Sequence, residues 1–191
     1  MAASDTPPRC GFVAIVGAPN AGKSTLVNKV VGAKVSIVTP KVQTTRTRVL
    51  GISVVDGAQI VFIDTPGIFA PKRRLDRAMV AAAWGGAADA DEIVVMVDAQ
   101  SGVRDDARRI ISGLRKAGRR AILALNKIDI VKREKLLGLA AELNAEGVFT
   151  DIFMISAETG DGVDDLVRAL TARMPEGPWH FPPDQLSDMN E

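Results

Sequence analysis

Gly17-Ala18-Pro19-Asn20-Ala21-Gly22-Lys23-Ser24-Thr25 is the stretch whose reading decides the fold. It follows the continuous apolar run Phe12-Val13-Ala14-Ile15-Val16. It precedes Leu26-Val27-Asn28-Lys29-Val30-Val31, where apolar residues recur at helical spacing. Gly17, Gly22, Lys23 and Ser24 match GxxxxGK[ST], set between a predicted strand and a predicted helix as a phosphate-binding loop requires. Glycine at both ends lets the backbone curl, so that successive N–H groups point inward and can cradle a triphosphate. The helix opening at Lys23 adds the partial positive charge of its N-terminus. Asn20, Ala21, Gly22, Lys23, Ser24 and Thr25 are therefore candidate nucleotide-binding residues. Lys23 can reach the terminal phosphates and is a candidate catalytic residue, and the Ser24 hydroxyl is a candidate ligand of Mg²⁺. The bland alternative, a coincidental glycine-rich turn, is disfavoured by the strand and helix on either side.

Working outward, 191 residues suffice for one full-sized domain and are too few for two comfortable ones. With 47% apolar and 25% charged residues, the balance is that of an ordinary globular protein. A net charge of +1 gives no globally basic surface, so any nucleic-acid contact has to be local. Cys10 is the only cysteine, which excludes an intramolecular disulfide and favours a reducing compartment. The N-terminus MAASDTPPRC lacks the pattern of a secretory leader, and no stretch approaches a membrane span. A cytoplasmic location without a transmembrane segment is expected, with peripheral contact at the inner membrane left open.

Residues 1–9 read as a flexible polar lead-in, 10–176 as the domain, and 177–191 as a tail. The helix from Lys23 ends at Gly32, and Ala33 to Arg48 reads as a long threonine-rich loop. Val49–Val55 and Gln59–Ile63 read as strands joined by a tight turn at Asp56-Gly57, and so antiparallel to each other. A basic loop, Phe69–Arg74, precedes a helix predicted from about Leu75 to Trp84. Strands are predicted at Glu92–Val97, Ala121–Leu125 and Phe149–Ile155, with helices at Arg104–Ala117, Arg133–Asn144 and Val163–Met174. This alternation argues for a three-layer α/β fold, a mostly parallel doubly wound sheet of about six strands. From Trp179 onward, WHFPPDQLSDMNE has two prolines and no amphipathic period. It reads as a linker, in which His180 is assigned no role.

Three further motifs follow the phosphate loop. Asp64-Thr65-Pro66-Gly67 closes a predicted strand, at the edge where open α/β sheets bind ligands. The Asp64 carboxylate can hold Mg²⁺ through water and the Gly67 N–H can face a γ-phosphate, which makes Gly67 a candidate catalytic group. Asn126-Lys127-Ile128-Asp129 closes another strand. The Asp129 carboxylate can accept two hydrogen bonds from the ring N–H and exocyclic amine of guanine, a donor pair adenine lacks. Asn126 can tie this loop to the phosphate loop, and the Lys127 stem can cover the base. Ser156-Ala157-Glu158 is placed to offer the Ala157 N–H to the guanine carbonyl oxygen. Each motif has a bland counterpart, a turn or a helix cap, which gains force only if the motif is taken alone. Thr44 and Thr45 stand in the long loop, where one hydroxyl could join Mg²⁺ only when a γ-phosphate is present. Thr45 is favoured, as both metal ligand and catalytic residue, and a merely polar loop is the alternative.

These motifs, in this order, resemble those of the translation-factor-like GTPases and, more narrowly, of the Era family of bacterial ribosome-assembly GTPases. The likeness rests on GFVAIVGAPNAGKSTLVNKVVG, QTTRTRVLGI, DTPGIFAPKRRLDRAMVAAAW, NKID and ISAETGDGVDDL, and covers about residues 10 to 182. QTTR and the basic segment after DTPG separate Era from its relatives Der and MnmE, whose GTPase domains are the nearby alternative. The resemblance implies a domain that binds GTP and GDP with Mg²⁺ and slowly hydrolyses GTP. It also implies a following KH domain that binds small-subunit (16S) ribosomal RNA, making the whole a switch in small-subunit assembly. WHFPPDQLSDMNE resembles the family's interdomain linker, so this chain is expected to be the GTPase domain without the KH domain, and RNA binding by it is doubtful.

Many relatives carry glutamine directly after DxxG to orient water, whereas here Ile68 cannot. Asn20 is a candidate ligand for a monovalent cation, potassium, as in the potassium-activated relatives; the alternative is that it only shapes the loop. Lys41, Arg46, Arg48, Lys72, Arg73, Arg74 and Arg77 flank both presumed switch loops. They could meet RNA phosphates or an acidic partner, or simply form a solvated face. Two other classes stay in view: a binding module that hydrolyses only with a partner's help, and a P-loop kinase, which NKID argues against.

Overall fold

The computed structural model describes residues 7–32, 48–64 and 90–182. Strand β1 (Arg9–Gly17) leads through the phosphate loop into helix α1 (Lys23–Val31), and β2 (Arg48–Val55) and β3 (Ala58–Asp64) form a hairpin. The order continues β4 (Glu92–Asp98), α2 (Asp105–Ala117), β5 (Ala121–Asn126), a 3₁₀ turn (Ile128–Ile130), α3 (Arg133–Asn144), β6 (Phe149–Met154) and α4 (Val163–Arg173). The predicted helix over 75–84 lies outside the described residues, as do Thr44, Thr45, Gly67, Ile68 and the basic residues 41, 46, 72–74 and 77.

Six strands form one sheet in the order β2-β3-β1-β4-β5-β6. Among the described strands only the β2–β3 pair is antiparallel, because the two-residue turn at Asp56 (φ 49°) and Gly57 (φ 79°) reverses the chain at once. The other pairings are parallel, as connections running over the sheet faces allow. Alternation along the strands splits the core in two. Ala14, Val16, Val95, Val97, Leu123 and Leu125 face α2 and α3. Val13, Ile15, Val94, Met96, Ile122 and Ala124 face α1 and α4. Both faces are covered, which is why these strands read as unbroken apolar runs.

Helix α2 shows how the sequence sets an element. Ala107, Ile110, Ile111 and Leu114 recur at helical spacing and are buried, each large one contributing about 1.5–3 kcal/mol. Asp105 and Asp106 occupy its positive end, Arg115 and Lys116 its negative end, and Gly118 (φ 63°) ends it. Strands β3, β4 and β5 each run one residue past the apolar segment, to Asp64, Asp98 and Asn126. Backbone pairing continues there while the side chains turn polar, and this polar fringe is the ligand edge of the sheet.

The tail reading needs correction as far as residue 182. Trp179 and Phe181 pack on the α2–α3 core, and the Trp179 indole Nε1–H donates to the Gly57 carbonyl at 3.1 Å. The fully buried Gln59 gives its amide to the Phe181 carbonyl at 2.7 Å and accepts the Phe181 N–H at 3.0 Å. The His180 ring, given no role from sequence, stacks on Phe12 with centroids 4.8 Å apart. Beneath them the Cys10 thiol donates to Gln59 Oε1, and burial raises its pKa above the ordinary thiol value. All this lies at the N-terminal end of β1, away from the phosphate loop. No described helix is long and apolar enough to cross a membrane.

Candidate functional site

β1 lies between β3 and β4, so the chain leaves it towards one side of the sheet and later crosses to the other. Such a switch point opens a crevice at the C-terminal ends of the strands. The loop from Gly17 to Gly22 stands in it. Gly22 (φ 97°) starts α1, and a Cβ on it would sit 2.2 Å from Asn126 Nδ2, so this position needs glycine for both conformation and space. Asn20 also takes a left-handed conformation (φ 66°) and is exposed, as are Ser24 and Thr25. Ala21 is buried, its N–H donating to the Ala18 carbonyl at 3.1 Å.

Lys23 lies back across the loop, with Nζ donating to the carbonyls of Gly17 at 2.7 Å and Ala18 at 3.0 Å. Burial lowers its pKa, partly offset by the charge of Asp64 at the end of β3. The ammonium is thus inside the loop, on the side of Asp64, where an anion would gain most from it. Ser24 and Asp64 supply a hydroxyl and a carboxylate at the same edge. No group of three or more histidine, cysteine or carboxylate side chains able to hold a metal occurs among the described residues. A metal here would depend on an anionic ligand for its remaining bonds, as Mg²⁺ commonly does.

Asn126 joins the two halves of the site. Its side chain is buried, with Nδ2 donating to the Ala21 carbonyl at 2.9 Å and Oδ1 accepting the Ala157 N–H at 2.9 Å. The first bond is the tie to the phosphate loop that the sequence led us to expect. The second departs from expectation: the Ala157 amide, assigned from sequence to a guanine carbonyl, is donated within the chain. Asn126 has both a donor and an acceptor end, and each meets a backbone group that would otherwise be buried unpaired.

Around this amide the base side of the site is assembled. Lys127 (φ 71°) turns the chain into the 3₁₀ turn that carries Asp129, which is exposed. The Ile128 N–H donates to the Ile155 carbonyl at 3.2 Å, placing this turn beside the loop after β6. There the buried Ser156 accepts the Thr159 N–H on its hydroxyl at 3.1 Å, and Lys29 of α1 reaches the Glu158 carbonyl at 3.4 Å. The structure therefore brings together Asn20, Ala21, Gly22, Lys23, Ser24, Thr25, Asp64, Asn126, Lys127, Asp129, Ser156, Ala157 and Glu158 along one edge.

Sequence reasoning passed over Asp98. Its carboxylate accepts the Lys127 ammonium at 2.7 Å and the Gln100 N–H at 2.8 Å. Burial pushes its pKa up, but these donors and the Ser101 N–H outweigh it and hold the pKa below the ordinary carboxylate value. Its only mark in the sequence is a lone aspartate closing an apolar strand, the position that Asp64 also takes. A concavity of about 430 Å³ between α1 and α4 is lined by none of the candidate site residues.

Comparison with known proteins places the chain in a family of GTPases. The family model described as 50S ribosome-binding GTPase matches residues 12–127. The GTPase Era of Sinorhizobium medicae is 57% identical over 188 residues, 98% of this chain and 61% of that protein. The chain thus spans about three-fifths of the length of such curated relatives. Among solved structures, a variant of Aquifex aeolicus Era bound to GDP·AlF₄⁻ is 41% identical with a TM-score of 0.75, covering 95% of this chain and 62% of that one. Era in complex with MgGDPNP and nucleotides 1506–1542 of 16S ribosomal RNA is 41% identical with a TM-score of 0.76. That match covers 96% of this chain and 63% of that one.

Proposed function

This chain belongs to the 50S ribosome-binding GTPase family, and we propose that it is an Era-type GTPase domain. In this reading it binds GTP and GDP with Mg²⁺ and slowly hydrolyses GTP. In the full-length protein it acts as a switch in small ribosomal subunit assembly through 16S ribosomal RNA, as the RNA complex of its relative suggests. A cytoplasmic location, with any membrane contact peripheral, belongs to the same proposal.

The observation that carries the reading is the buried Asn126 amide, bonded at once to the phosphate loop and to the loop after β6. In this reading it ties the loop carrying Asp129, which would read the base, to the loop that would cradle the triphosphate. The backbone N–H groups of residues 20–25 would hold the phosphates, with Lys23 turning from its carbonyl partners to the β- and γ-phosphates. Mg²⁺, when bound, neutralises charge on those phosphates; Ser24 and Asp64 would hold it, with Thr45 joining in the GTP state. The Gly67 N–H would face the γ-phosphate. Asp129 would select guanine, the Lys127 stem would cover the base, and Ser156, Ala157 and Glu158 would wall it in.

The test compares binding of GDP and ADP by this chain and by Asp129→Asn. Strong guanine preference that shifts towards xanthine nucleotides in the variant is expected; equal binding of ADP and GDP by the unaltered chain refutes the reading. We further propose that Asn20, exposed and left-handed in the loop, is a ligand for potassium beside the phosphates. Hydrolysis is then faster in potassium than in sodium buffer, and equal rates refute it.

A further inference from the structure

We propose that Asp98 is a positioning residue for the guanine base, acting through Lys127. The proposal rests on the guanine reading above. Asp98 and Asn126 end neighbouring strands and are paired in register, so Asp98 stands beside the base loop as the chain leaves β4. Its two oxygens divide their tasks. Oδ1 accepts the N–H groups of Gln100 (2.8 Å) and Ser101 (3.3 Å), which shapes the turn after β4. Oδ2 accepts the Lys127 ammonium at 2.7 Å and the Ser101 hydroxyl at 3.2 Å.

Lys127 needs such a hold. It is a non-glycine residue at φ 71°, a conformation that persists only where the surroundings enforce it. Its long side chain would otherwise sample many rotamers, at an entropic cost on every binding event. Anchored at its tip, the four-carbon stem is laid out as an apolar plate between Asp98 and the backbone that carries Asp129. The anchor is itself braced: the Ala99 N–H donates to the Asn126 carbonyl at 2.9 Å, and Lys135 of α3 donates to the Gln100 carbonyl at 2.6 Å. With side-chain exposures of 16% and 32%, the pair is shielded enough to resist screening by salt. The whole β4–α2 turn thus serves as a bracket for one lysine.

Asp98→Asn separates the two tasks, because asparagine keeps an oxygen for the turn but presents an amide N–H₂ to the ammonium. The assay is release of a fluorescent GDP or GTP analogue by the 191-residue chain, with hydrolysis of prebound GTP followed in a single turnover. We expect both nucleotides to leave about tenfold faster from Asp98→Asn, while the single-turnover rate moves less than about twofold. Lys127→Met keeps a stem and loses the anchor, and should release nucleotide as fast as Asp98→Asn does. In the Lys127→Met background, Asp98→Asn should add nothing. Release at the unaltered rate from Asp98→Asn overturns the proposal, as does an equal acceleration by that change in the Lys127→Met background. Should Asp98→Asn not fold, unaltered release from Lys127→Met alone overturns it. If the unaltered chain does not bind guanine nucleotides, it is the guanine reading that falls.

Discussion

Replacing Asn126 with alanine tests whether one side chain holds the site together. The change removes a donor from the Ala21 carbonyl and an acceptor from the Ala157 N–H, in residues only 1% and 2% exposed. Each buried backbone group left without a partner costs about 1–3 kcal/mol. Some relief from water entering beside the exposed Asn20 brings the expected loss to about 3 kcal/mol, roughly 150-fold in the folding equilibrium. The assay is urea denaturation without nucleotide, where a ligand-only role would leave no trace. Asn126→Asp supplies the control. It keeps an acceptor for Ala157 but sets a carboxylate oxygen against the Ala21 carbonyl, so at neutral pH it should be as damaging as alanine. Burial against a carbonyl raises the folded-state pKa of that aspartate above the unfolded value. As pH falls through the raised value the carboxyl protonates and can donate again, and the aspartate variant alone should regain stability relative to the unaltered protein, fully by about pH 4. A loss under about 0.5 kcal/mol for Asn126→Ala, or identical pH profiles for both variants, refutes the reasoning.

Two other outcomes follow from contacts within the chain. Gln59→Leu removes both bonds to Phe181, so residues 179–181 should lift and the Cys10 thiol should react with a thiol reagent at least about tenfold faster; an unchanged labelling rate would show that the segment does not cover it. The folded-state pKa of Asp98 is depressed, so its stabilisation is complete above the unfolded carboxyl value near 4 and is lost as pH falls through the lower folded value. The stability gap between the unaltered protein and Asp98→Asn should therefore stay level from pH 7 to about 5 and close only in stronger acid; closure already at pH 6 would contradict it.

The parts of this protein legible in its sequence are those that physics ties to local pattern. The phosphate loop needs glycine at φ 97° beside a buried amide, so Gly22 can be read from residue type alone. The strands covered on both faces announce themselves as apolar runs, and α2 by its spacing. Long-range polar contacts leave no such imprint. Asp98 meets Lys127 across 29 positions of sequence, and a carboxylate at a strand end looks the same whether it faces a lysine, a metal or water. The docking of residues 179–181 was hidden because Gln59 recognises the backbone of Phe181, which any residue carries. The Ala157 amide was assigned to the ligand since nothing local shows that the acceptor end of Asn126 turns towards it.

The place of β1 in the middle of the sheet, with β3 on one flank and β4 on the other, bears on how the molecule comes apart. Edge strands β2 and β6 can fray while β1 keeps both its ladders, so amide hydrogens of residues 13–16 should be among the last to exchange. The loop that springs from β1 inherits this footing. Partial opening at either margin, by heat, denaturant or the passage of the chain through a protease, would spare the cradle at Gly17–Gly22 until the whole sheet is lost.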